Sequence, residues 1–110
     1  MASIKFDQEA SQELFEIQDY IENQLKSPRA ALKKVREITK AIRLLENFPD
    51  SGNYLKNIYP NLNPALKEHR HIVIGNYIVV YLYLEKEGII YIQSIYDGRT
   101  NYLEKISEKR

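Results

Sequence analysis

Three short runs rich in Ile, Val and Tyr dominate the second half of the chain, between Leu66 and Leu103. His71 to Ile74 reaches Gly75-Asn76, a dipeptide suited to a two-residue turn with positive φ. Tyr77 to Leu84 follows and ends at Glu85-Lys86-Glu87-Gly88, and Ile89 to Tyr96 is the third run. β-Branched and aromatic side chains suit a pleated surface, and connections this short force each strand to return beside the last. This predicts a three-stranded antiparallel meander. Chemistry-bearing groups gather at its ends: His69, Arg70 and His71 where the chain enters it, and Asp97, Arg99 and Tyr102 where it leaves.

The first half reads as elements that cover this sheet. Ser3 to Asp7 alternates apolar and polar residues, the period of a short strand that joins the meander. Asp7 can cap the helix that follows, because a short side-chain oxygen accepts from an orphan N–H. Ala10, Leu14, Ile17, Ile21 and Leu25 then recur on one helical face. Ser27-Pro28 stops that helix and starts the next, with Ser as cap and Pro at the first position, where its missing N–H costs nothing. Ala31, Val35, Ile38, Ile42 and Leu45 form the matching face of an antiparallel helical hairpin. Asn47 to Lys67 is expected to be an irregular loop, broken by Pro49, Gly52, Pro60 and Pro64 and rich in Asn. Asn101 to Ile106 reads as a short terminal helix, and 107–110 as a frayed tail.

The expected fold is therefore one α+β domain over 1–110: an N-terminal strand, an antiparallel two-helix hairpin on a mainly antiparallel four-stranded sheet, and a short C-terminal helix. The helices cover one sheet face, and the other face, beside the long loop, is left for function. Cys is absent, which removes disulfides and thiolate chemistry and fits a reducing cytosol. No secretory leader and no apolar run of about 18 residues is found, so a cytoplasmic protein without membrane contact is expected. The net charge of +1 conceals a partition. Residues 1–25 carry −5 and residues 26–43 carry +6, while the remainder balances. Two readings of the basic block stand: a surface for a polyanion, or a helix face attracted to the acidic helix beside it.

Several short motifs, in order and at consistent spacing, carry a resemblance. These are the paired helices, Leu45-x-x-Phe48-Pro49-x-x-Gly52 closing the second, His69-Arg70-His71 opening a strand, Gly75-Asn76-Tyr77-Ile78-Val79-Val80-Tyr81 at the hairpin, and Ile95-Tyr96-Asp97-Gly98-Arg99-Thr100-Asn101-Tyr102 at the close. Over roughly Ile4 to Ile106 the chain resembles the RelE/ParE family of toxins from bacterial type II toxin–antitoxin systems. The resemblance implies a compact toxin silenced by a cognate antitoxin. RelE-like members cut messenger RNA in the ribosomal A site, whereas ParE-like members share the fold and poison DNA gyrase. Fold alone does not choose between them.

The nuclease reading assigns roles to particular residues. In metal- and cofactor-independent RNA cleavage the 2′-hydroxyl attacks the neighbouring phosphate and the 5′-oxygen leaves. The site must withdraw one proton, supply another and stabilise charge on the phosphoryl oxygens. Arg70 and Arg99 stand where RelE-like toxins place phosphate-binding arginines, whose planar forks meet phosphate bidentately. The competing reading for either is a surface ion pair, with Glu68 or Asp97. His69 and His71 are the groups that titrate near neutral pH, and either can serve as the base or acid. Strand alternation puts both on one face opposite Arg70; if the pairing begins later, at Ile72, that rule lapses at His69. Tyr102 matches a tyrosine that RelE-like members hold near the scissile phosphate. Many relatives carry His two positions before the final Arg, where this chain has Asp97, which repels a phosphate. RelE-like nucleases are also strongly basic, whereas this chain has a pI near 7.9. On sequence, the first expectation is a RelE-like, ribosome-dependent mRNA endonuclease with ribosome and mRNA as partners. The alternatives are a ParE-like gyrase inhibitor without catalysis, or a detoxified relative that only binds antitoxin.

Overall fold

A computed structural model describes residues 2–100 of the chain. Tyr102, the helix expected over 101–106 and the tail 107–110 lie outside the described residues. The described chain runs β1 (Ser3–Phe6), α1 (Gln8–Asp19), a π-helical turn (Tyr20–Gln24), α2 (Pro28–Leu44), β2 (Asn53–Tyr54), β3 (Arg70–Ile74), β4 (Tyr77–Leu84) and β5 (Ile89–Asp97). The strands form a single sheet in the order β1-β5-β4-β3-β2. Only β1 is parallel to its neighbour, pairing Ser3 with Ile89 through Phe6 with Ile92.

Local chemistry sets the element boundaries. Asp7 accepts from the Glu9 N–H at 3.2 Å and caps α1, while its other oxygen takes the Tyr91 hydroxyl. The wider turn at Tyr20–Gln24 ends at Lys26, whose φ of 53° is a left-handed conformation that stops a helix. Ser27 then accepts from Ala30 N–H at 3.3 Å, with Pro28 opening α2. The β3–β4 turn places Gly75 at φ 61°, as the Gly-Asn dipeptide demands. A bulge on β5, where Val80 faces Ser94 and Tyr81 faces Ile92, shifts the alternation so that Ile90, Ile92 and Ile95 all reach the helices.

Both faces of the sheet are covered. On one, Ala10 of α1 and Ile38 and Ile42 of α2 bury against Val79, Tyr81, Ile90, Ile92 and Ile95. On the other, the segment after β2 folds back, and Leu55 and Leu66 bury against Val80 and Tyr96, with Tyr59, Leu62 and Ile78 around them. Two expectations are corrected here. The sheet has five strands rather than four, because Asn53 and Tyr54 pair with His71 and Arg70; a two-residue strand leaves no periodicity to detect. The second sheet face is not open either, since the long segment is a lid with its own apolar side chains, staged by 3-10 turns at Leu55–Asn57 and Pro64–Leu66.

The lid is fastened beside Gly52. Its N–H donates to the Tyr81 hydroxyl at 2.9 Å, and that hydroxyl donates to the Pro49 carbonyl at 2.8 Å. A β-carbon at position 52 would stand 2.5 Å from Tyr81 Oη and 2.8 Å from the His71 carbonyl oxygen. Gly52→Ala is therefore expected to destabilise the fold by about 1–3 kcal/mol or more, through overpacking against an immobile backbone oxygen. Urea unfolding followed by circular dichroism measures it, and an unchanged midpoint would contradict this packing.

Candidate functional site

β3 begins at Arg70, one residue after His69, and this offset separates the three residues of His69-Arg70-His71. Arg70 sits opposite Tyr81 in the β3–β4 register and opposite Tyr54 in the β2–β3 register. Its guanidinium donates from Nη1 to the carbonyls of Asp50 (3.0 Å) and Gly52 (2.8 Å), and from Nη2 to the Tyr54 hydroxyl (2.8 Å). It also lies 4.0 Å from the Tyr54 ring centroid, a cation–π distance. Both terminal nitrogens thus hold the chain between Asp50 and Tyr54, and Arg70 is not paired with Glu68.

The histidines differ in environment. His69 is buried at 7 % exposure, with its ring on the Gln93 side chain and Nδ1 without a partner. Burial, only partly offset by the Gln93 bond, pushes its pKa below the ordinary 6.5. His71 is half-buried, and its Nδ1 meets the Asn53 carbonyl at 3.1 Å. Because a carbonyl only accepts, the hydrogen is on Nδ1, which leaves Nε2 as the ring's acceptor. Burial depresses this pKa as well, against the opposing effect of the Asn53 bond.

Arg99 lies at the other end of the sheet. Asp97 pairs with Tyr77, four residues along β4 from the Tyr81 that faces Arg70. At the strand rise this is roughly 13 Å along the sheet, plus roughly 10 Å across two strand spacings. Arg99 grips Asp97 bidentately, Nε to Oδ1 at 3.0 Å and Nη2 to Oδ2 at 2.7 Å, and its own N–H also reaches Oδ1. The guanidinium beside it holds the Asp97 carboxyl below its usual range. Arg99 makes the ion pair with Asp97. The fold thus places Arg70 with Tyr54 and His71 with Asn53 along the β2 edge, on alternate faces of β3, keeps His69 buried, and leaves Arg99 with Asp97 well away from them.

Sequence reasoning missed Tyr54 and Tyr81 as the groups organising this region. The signal was Phe48-Pro49-x-x-Gly52, a turn whose glycine has to admit a tyrosine hydroxyl. Among the described residues, no group of three or more His, Asp or Glu side chains is arranged to hold a metal ion, and no helix is long and apolar enough to cross a membrane.

The two depressed histidines set a direction for pH dependence. A base whose folded pKa lies below its unfolded value takes up protons first in the unfolded chain, so stability is full above about 6.5 and falls as pH drops from there toward the folded pKa. Denaturation midpoints from about pH 7.5 down to about pH 5 are expected to decline. The decline should be shallower in His69→Gln, and an equal slope in both would contradict a buried neutral His69.

Residues 4–102 match the family described as the ParE toxin of type II toxin-antitoxin system, parDE. No curated protein matches the sequence. The fold is similar to the chromosomal ParDE system from P. aeruginosa, with TM-score 0.68 and 21 % identity over 88 % of this chain and 96 % of that one. It is also similar to the RelBE2 toxin–antitoxin complex from Mycobacterium tuberculosis, with TM-score 0.57 and 16 % identity over 87 % of this chain and 96 % of that one. For the intact E. coli RelBE complex the TM-score is 0.54 and the identity 15 %, over 91 % of this chain and 100 % of that one. These likenesses establish the RelE/ParE fold expected from the sequence.

Proposed function

Because the chain belongs to the ParE toxin family of type II toxin–antitoxin systems, we propose that it poisons DNA gyrase in the cytoplasm by binding and performs no chemistry of its own. The observation that carries this reading is the family match across residues 4–102. The arginines support it. Arg70 commits both Nη1 hydrogens and one on Nη2 to the Asp50 and Gly52 carbonyls and the Tyr54 hydroxyl, and Arg99 commits Nε and one Nη2 hydrogen to the Asp97 carboxylate, which leaves each a reduced set of donors for a phosphate. Asp97 stands where many relatives carry His, and its charge opposes a phosphate. His69, buried and biased to the neutral form, is poorly placed to exchange protons with a ribosome-bound substrate.

The partner that silences the toxin is a cognate antitoxin. Phe15, Leu25 and Phe48 are each about 60 % exposed, apolar area that a partner can cover. Among the described residues, the sheet also ends in strand edges without a neighbour, at β1 on one side and at the part of β3 beyond the two-residue β2 on the other. An antitoxin that lays a helix or strand across the hairpin and a sheet edge covers such groups and pairs free backbone.

The likeness to RelBE toxins keeps a second reading in play: a ribosome-dependent, metal-independent mRNA endonuclease using Arg70, Arg99, His69 or His71, and Tyr102. One preparation separates the two. Purified chain is expected to inhibit gyrase supercoiling at micromolar concentration, and to leave a defined mRNA uncut by primer extension with programmed ribosomes. Arg99→Ala is expected to inhibit supercoiling within about twofold of the parent, because the ion pair it breaks is solvent-exposed and adds little to the fold. Unaffected gyrase together with cuts at the A-site codon would replace this reading with the nuclease.

A further inference from the structure

The exposed face of α2 carries a periodic row of cations. Arg29, Lys33, Arg36, Lys40 and Arg43 recur at intervals of four, three, four and three residues. At 3.6 residues per turn they fall within an arc of about 80°, centred opposite the face that buries Ala31, Ile38, Ile42 and Leu45. All five are exposed. The row runs about 21 Å along a straight helix, with successive cations about 4.5–6 Å apart.

The acidic residues of α1 do not neutralise this row. Among the described residues, the ion pair on α2 is Lys34 with Glu37 at 3.2 Å, on the flank of the helix, and none of the five cations joins an ion pair. Among the described residues, no ion pair joins this face to the acidic helix. A line of like charges without partners repels itself, and an evenly spaced polyanion relieves that repulsion.

The neighbouring residues narrow the choice of polyanion. Leu32 and Leu44 are about half exposed, but they are twelve positions apart in sequence and flank the row on opposite sides, so they form no seam for an amphipathic helix. This disfavours an acidic protein segment. α2 contains no aromatic residue, and recognition of single strands depends on stacking bases on aromatic rings. The row itself presents donors alone, which suffices for phosphate oxygens but offers a ribose 2′-hydroxyl no acceptor. We propose that the outer face of α2 binds the phosphate backbone of duplex DNA without reading its sequence, through Arg29, Lys33, Arg36, Lys40 and Arg43. The contact is independent of whether gyrase is the toxin's target.

Fluorescence anisotropy with a labelled random-sequence DNA duplex of about 20 base pairs tests this on purified chain free of antitoxin. Binding in the micromolar range at about 50 mM salt is expected, with a log–log salt slope of about −4.5 from five contacts. Affinity then falls a few hundredfold between about 50 and 200 mM. Lys33→Gln, Arg36→Gln and Lys40→Gln together keep strong helix formers on the surface and are expected to bring the slope near −2. The equal charge change made elsewhere, Lys5→Gln with Lys67→Gln and Lys86→Gln, is expected to leave it near −4.5. No binding at about 50 µM protein in 50 mM salt would overturn the proposal, as would equal slopes in the two variants. Tighter binding to the matching RNA duplex or single strand would also overturn it. So would a row variant that keeps DNA binding but no longer co-purifies with antitoxin, since that outcome makes the row a protein-docking surface.

Discussion

The cross-strand pair of Arg70 and Tyr81 holds one short stretch of chain, and much of the fold beyond it follows from that grip. Arg70 takes the carbonyls of Asp50 and Gly52, and Tyr81 takes the Gly52 N–H and gives its hydrogen to Pro49. With Pro49 to Gly52 fixed, Asn53 and Tyr54 are delivered to the edge of β3, and Leu55 is aimed back under the sheet. Leu55 N–H then bonds to the His69 carbonyl at 3.0 Å, which closes the lid over Val80 and Tyr96. A charged fork suits this task because its donors are fixed in one plane and reach several carbonyls at once. The arrangement also accounts for burial of His69, which sits where the closed lid rejoins the strand.

A second constraint is the division of charge. α1 and α2 each bury a narrow apolar stripe against the sheet, so their outward faces are free to take opposite signs. The near-zero net charge is thus an average over an acidic helix and a basic one, and says little about what either face attracts. Total charge favoured a ParE-like toxin over a ribosome-bound one; the α2 row shows that a nearly neutral chain still presents a local cationic surface.

Much of the fold was legible because its signals are periodic. Apolar residues from Ala10 to Leu45 mark the helices, Ser27-Pro28 marks their junction, and Gly75-Asn76 marks the hairpin. β2 was not legible, because two residues have no period, and its pairing is imposed by Arg70 through tertiary contacts. Nor was the lid: Leu55, Tyr59, Leu62 and Leu66 are apolar but spaced by Pro and Asn turns, so the segment reads as loop although it carries a core. The candidate site was legible as a set of residue types but not as an arrangement. Arg70 and Arg99 look equivalent along the chain, and only the sheet register shows that Arg70 faces Tyr81 while Asp97, which holds Arg99, faces Tyr77 four residues away on β4. The destinations of their guanidiniums are backbone carbonyls and a neighbouring carboxylate, partners that no motif encodes.

A role of Arg70 in the fold rather than at a reacting phosphate is separable by experiment. The decisive comparison is thermal unfolding of Arg70→Ala alongside its growth arrest at a temperature where the variant is still folded. Removing a charged donor from two carbonyls and a phenol is expected to cost about 2 kcal/mol, which lowers the unfolding midpoint by about 10 °C. Growth arrest by the folded variant is expected to persist. An unchanged midpoint with growth arrest abolished would place Arg70 in the toxic reaction and contradict the account.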